Sequence, residues 1–166
     1  MRRAGREGIG DTMRNTPEEN AALVRRFLTD VVAGGDTAAA DIFLTEDSTD
    51  HDLVFGERQG RDAVTTLSWR ILAGADVGVE IDEVVATHER VAVRATVTGT
   101  HTEPLLELAP TGVSFEIDSA WFCRLRDGRI AEIRSLPDGL GLLRQLGALP
   151  EQPATRPHST QDEHPE

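Results

Sequence analysis

Apolar positions recur at helical spacing early in the chain and at every second position late in it. Leu23, Phe27 and Val31, with Val24 and Leu28 beside them, form one stripe and predict a helix. Thr16 can cap its start, Pro17 suits the first helical position, and Glu18 and Glu19 complement the positive dipole end. Gly34-Gly35 stops it. A short second helix is predicted over residues 37–44, turning Ala40, Phe43 and Leu44 inward. Residues 45–57 are rich in turn formers and contain Asp50-His51-Asp52 ahead of Val54-Phe55. Residues 60–72 read as a third helix, with Val64, Leu67, Ile71 and Leu72 inward and Trp69 nearby.

From residue 77 the period becomes two. Strands are predicted over 77–87, 90–101, 113–126 and 129–136, with turns at His88-Glu89 and Asp127-Gly128. The second turn is a strong hairpin signal. An apolar helix over 140–149 closes the pattern. Helices followed by a long antiparallel meander define an α+β fold. Three N-terminal helices on one face of a curved antiparallel sheet would enclose a cone-shaped pocket, with the short C-terminal helix beside it. One domain is expected over 15–149, between a flexible N-terminal tail (1–14) and a Pro-, His- and Glu-rich, disordered C-terminal tail (150–166). No internal repeat is visible.

Composition removes several classes of function. A chain of 166 residues suits one domain that buries roughly 70% of its unfolded surface. No apolar run approaches the ~20 residues that span a bilayer, and the basic N-terminus lacks the apolar stretch of a secretory signal, so a cytoplasmic, membrane-free protein is expected. A net charge of −12 speaks against nucleic acid as a partner. The single cysteine, Cys123, excludes an intrachain disulfide or a multi-cysteine zinc site. The five histidines show no metal-ligand spacing, so no metal is expected. All 17 basic residues are arginine and tyrosine is absent, so no Schiff-base lysine and no tyrosine acid is available.

Several pieces stand in a specific order: His51-Asp52, Gly60, Thr98-Gly99-Thr100-His101, Pro110-Thr111-Gly112, Asp127-Gly128-Arg129-Ile130, and Leu142-Leu143-Arg144-Gln145-Leu146-Gly147. Together they resemble the SnoaL-like polyketide cyclases, also called ester cyclases, of the nuclear-transport-factor-2-like superfamily. The resemblance spans about residues 18–149. It implies a cofactor-free aldol closure of a polyketide ester, driven by a buried aspartate on the last strand and assisted by a histidine on its neighbour. Aligning on the Asp127-Gly128 turn and the terminal helix puts Ser135 at the aspartate position and Trp121 at the histidine position. The aldol mechanism is therefore not inherited as it stands. Pairing through the outer sheet face, giving a homodimer, is also expected.

Alternation selects the remaining candidates. Phe115, Ile117, Ser119, Trp121 and Cys123 share one face of their strand, and Ile133 and Ser135 share one face of the next. With Trp121 and Ser135 inward, the pocket is mainly apolar and suits a flat hydrophobic small molecule, with Trp121, Ser119, Ile133, His51 and Asp52 as ligand contacts. His101 is an acid/base candidate through its near-neutral titration, or else a strand-end hydrogen-bonding residue. Asp138 can orient a histidine or act as base, or can cap the closing helix. Ser135 is a pocket hydroxyl or a nucleophile, though nothing nearby in sequence supplies its base. His51 and Asp52 line the mouth or satisfy a turn. Arg94, Arg124 and Arg134 can pair with Glu116, Asp118 and Glu132 on the open face. Two functions follow: a cofactor-independent cyclase or isomerase using His101 with Asp138 or Asp52, or a non-catalytic small-molecule binder. An epoxide hydrolase of the limonene type fits poorly, because its tyrosine is missing.

Overall fold

Thr16 and Glu19 start the first helix by capping each other. The Glu19 N–H donates to the Thr16 hydroxyl at 3.2 Å, and the Thr16 N–H donates to the Glu19 carboxylate at 2.8 Å. Helix α1 (Pro17–Arg26) runs directly into a wider turn over Phe27–Ala33 with i→i+5 bonding. Val24, Phe27, Leu28, Val31 and Val32 are buried, so the apolar stripe faces the core through both segments. Gly34 ends them: a Cβ there would lie 2.6 Å from the Asp30 carbonyl oxygen. A 3-10 turn over Thr37–Ala39 leads into the short α2 (Ala40–Phe43).

A computed structural model of the chain describes residues 15–52, 56–61, 76–105 and 107–149. Among the described residues, six strands follow these helices: β1 (Leu44–Asp52), β2 (Gly56–Gln59), β3 (Val77–Ala86), β4 (Arg90–Thr100), β5 (Ser114–Arg126) and β6 (Arg129–Pro137). Helix α3 (Gly139–Gln145) is the last element among the described residues. The strands form one sheet in the order β2-β1-β6-β5-β4-β3. The predicted four-stranded meander is present and antiparallel throughout. Its Asp127-Gly128 turn has φ of 53° and 72°, the left-handed pair that a tight hairpin requires. Register shifts at Ile81/Glu83 and Arg124/Leu125 bend the long strands. The sheet stays open, and α1 packs on β3 and β4. The Asn20 amide ties that helix to the Thr87 carbonyl at 2.9 Å.

Within the stretch 45–57, expected as turns, residues 45–52 and 56–57 are extended instead, and residues 53–55 lie outside the described residues. β1 lies parallel to β6 at the end of the meander, and β2 folds back antiparallel on β1. The sheet is therefore mixed rather than wholly antiparallel. The strand carries no hydrophobic alternation because its inward residues after Leu44 are Ser48, Asp50 and Asp52. The tails and all but the first two residues of the predicted third helix lie outside the described residues. Among the described residues, no helix is long and apolar enough to cross a membrane.

On the inner face, Leu28, Phe27, Phe43, Leu44, Val93, Val97, Phe115, Ile117, Trp121, Ile130, Ile133 and Leu142 form one core. The open face carries charge. Glu132 accepts from Arg124 at 2.9 Å and from Arg134 at 3.1 Å, while Arg94 pairs with Asp82 at 3.3 Å rather than with Glu116 or Asp118.

Candidate functional site

Strand register assembles the site. Asp52 of β1 lies opposite Ser135 of β6, which lies opposite Trp121 of β5. The next inward rung carries Asp50, Ile133 and Cys123. All six side chains point to the inner face and are buried; Asp50 is 1% exposed, Asp52 6% and Ser135 3%. Three neighbouring strands thus bring two carboxylates and a hydroxyl together beside an indole.

Hydrogen bonds link them. The Ser135 hydroxyl donates to Asp52 Oδ2 at 2.8 Å and lies 3.5 Å from Asp50 Oδ1. On the far side, Arg58 of β2 stands opposite Asp50 and brings Nη1 to 3.4 Å from Asp50 Oδ2. Burial raises the Asp50 carboxyl from 3.8 to about 6, and the neighbouring charge of Asp52 adds to that rise. Arg58 and the Ser135 hydroxyl pull in the other direction without cancelling it. Burial, with a smaller effect of Asp50, pushes the Cys123 thiol up to about 12, which leaves it protonated and unreactive.

The other candidates are dispersed. His51 sits between the two aspartates in β1 but on the opposite face, its Nδ1 3.2 Å from a Glu57 carboxylate oxygen and its Nε2 3.9 Å from Glu132. Asp52 is itself buried, and with Ser135 it borders the cleft that His51, Glu57, Arg134 and Leu136 also line. His101 is fully buried just beyond β4, eight residues past Val93, the partner of Trp121. Its Nδ1 accepts the Thr111 N–H at 3.2 Å and lies 3.0 Å from the Thr111 hydroxyl. Backbone bonds from His101 to Val113 and from Gly112 to His101 close the same loop. His101 therefore stitches the β4–β5 connection and does not meet Asp52 or Ser135. Asp138 caps α3, accepting the Gly141 N–H at 2.8 Å. Ser119 lies on the inner face of β5, one inward position from Trp121.

Asp50 and Arg58 are the members that the sequence pattern did not single out. A signal for Asp50 exists in hindsight: Ser48, Asp50 and Asp52 fall at alternate positions, as inward strand residues must. Among the described residues, no group of three or more His, Cys, Asp or Glu side chains is arranged to hold a metal ion.

Comparison with known proteins follows the same lines. The family model described as SnoaL-like polyketide cyclase matches residues 22–146. A candidate SnoaL-like polyketide cyclase from Jannaschia sp. CCS1 superposes with a TM-score of 0.73 at 18% identity, covering 88% of this chain and 100% of that one. AclR from Streptomyces galilaeus, a candidate hydroxylase, gives 0.71 at 25% identity, covering 84% and 91%. IdmH from Streptomyces antibioticus, a candidate polyketide cyclase, gives 0.65 at 22%, covering 77% and 98%. No curated protein matches the sequence.

Proposed function

This chain belongs to the SnoaL-like polyketide cyclase family, and we propose that it moves a proton on a polyketide or related hydrophobic metabolite through its buried Asp50–Ser135–Asp52 array, without a cofactor. The observation that carries this reading is the 2.8 Å bond from Ser135 to Asp52. Ser135 occupies the position at which the family resemblance implies a catalytic aspartate. The carboxylate has in effect moved one strand sideways, from β6 to β1, and still reaches the same point on the inner face.

The chemistry follows from the environment. A carboxylate held near neutrality is a better proton acceptor at working pH than an ordinary aspartate. Burial, and then the charge of the neighbouring Asp52, favour uptake of a proton by Asp50. That proton comes from a carbon flanked by carbonyls in the ligand. The resulting enolate attacks a second carbonyl, and the pair returns the proton to the new alkoxide. Trp121 supplies a flat wall for an aromatic or conjugated ligand. We leave His101 and Asp138 outside the reacting set, because their hydrogen bonds already hold a loop and a helix start.

Asp52→Asn tests this directly. Turnover of aromatic polyketide esters should fall by about a hundredfold or more, with the fold verified by circular dichroism. Turnover should also rise with pH through about 6, where Asp50 ionises. Undiminished turnover in Asp52→Asn would remove the array from the mechanism, and ligand affinity without turnover in the wild type would leave a binding protein. The likeness to AclR favours one second reading, in which the carbanion formed by the same pair adds O2 to give a hydroperoxide, and an added two-electron reductant takes this to the alcohol and water. Oxygen uptake that accompanies turnover, and turnover that stops under anaerobic conditions, would select it.

A further inference from the structure

One inner-face hydroxyl of β5 has no task in the fold. Ser119 is 3% exposed, and its Oγ has no hydrogen-bond partner among the described residues. A buried hydroxyl without a partner destabilises a protein, and an alanine would occupy the position without that penalty. Its location gives the penalty a use. Ser119 lies opposite Pro137, and the next inward pair is Trp121 opposite Ser135. Ser119 and Ser135 are thus diagonal neighbours on one face, a relation that separates side chains by roughly 7–8 Å. Trp121 shares that face, opposite Ser135 and two residues along β5 from Ser119. The remaining buried polar atoms without partners among the described residues lie elsewhere: Asn20 Oδ1 is on α1, Thr45 Oγ1 is near the start of β1, Ser48 lies on the other side of Asp50 from Asp52, and His101 Nε2 is beyond the end of β4.

We propose that Ser119 is a specificity-determining residue that recognises a second oxygen of the ligand. The ligand is then a flat molecule with two oxygen functions on one edge, about a fused-ring width apart. One meets the Asp52–Ser135 bond and the other meets Ser119, while the ring lies against Trp121. This inference rests on the proposed function only for the inner face being the ligand site; it requires no turnover.

Binding of 2,7-dihydroxynaphthalene and 2-naphthol, measured by calorimetry on the full chain, separates the possibilities. Wild type should bind the diol at least about fivefold more tightly, the worth of one net hydrogen bond. Ser119→Ala should cancel that preference, leave 2-naphthol affinity unchanged, and melt no lower than wild type. A preference that survives in Ser119→Ala, or one never present in wild type, overturns the role of Ser119 and leaves the carboxylate array standing. Failure of both naphthols to bind wild type overturns the inference together with the inner-face site. Loss of turnover in Asp52→Asn stays a separate result, so the two readings can fail independently.

Discussion

Strands β1 and β5 belong to one sheet, with only β6 between them, and both bury every second residue over most of their length. Their inward chemistry is opposite. β5 turns Phe115, Ile117, Trp121, Cys123 and Leu125 to the core, with Ser119 among them, whereas β1 turns Ser48, Asp50 and Asp52 inward. Backbone pairing enforces alternation in both, so periodic burial does not depend on hydrophobicity. What hydrophobicity decides is the stability obtained. The apolar inward face of β5 stabilises the fold, while the polar inward face of β1 costs stability and concentrates proton-binding groups. A strand that breaks the hydrophobic rule while keeping the geometric one marks a candidate site.

The sharpest way to break this contrast is to give β5 the chemistry of β1. Ile117→Asp buries a charge with no Arg58 or Ser135 beside it, and should cost at least about 4 kcal/mol, a large part of a domain's total stability. Urea unfolding at pH 7.5 measures it. A midpoint close to wild type would mean that the two faces tolerate charge equally, and the contrast would fail.

The converse change relieves β1. The Asp50 carboxyl is raised from 3.8 to about 6, so the folded protein holds this proton more tightly than the unfolded chain does. Its ionisation therefore costs stability as pH rises through this window, and the full cost is present above about pH 6. Asp50→Asn should accordingly stabilise the protein at pH 8 by about 1–3 kcal/mol. The gain should shrink steadily between pH 6 and pH 4. A gain independent of pH would point to packing rather than to the buried charge.

The smallest effect is expected on the open face of the same strands. Hydrogen bonds from Arg124, then Arg134, hold the Glu132 carboxyl below its ordinary range. That contribution is present above the ordinary carboxylate range and fades as pH falls. The three side chains are partly exposed, so Glu132→Gln should cost less than about 1 kcal/mol, and added salt should reduce the difference further. A larger, salt-independent loss would show that the outer network matters as much as the inner one.

Legibility in the sequence followed the range of each interaction. The Thr16 cap, the α1 stripe, the Asp127-Gly128 turn and the four meander strands rest on contacts between near neighbours, and local pattern finds them. The inward orientation of Trp121, Ile133 and Ser135 follows from the same alternation. The partner of Ser135 did not follow, because Asp52 lies 83 residues earlier. Only the parallel pairing of β1 with β6 joins them.

The amino-acid sequence alone determined the α+β order of elements, the family resemblance and the face on which each meander residue lies, since helical and strand periods are properties of short stretches. Tertiary structure decided that a polar stretch resembling turns becomes a strand, that His51 and His101 stand away from the array, and that Asp50 and Asp52 converge on Ser135. Sheet register between distant segments is set by packing of the whole core, and no local period encodes it.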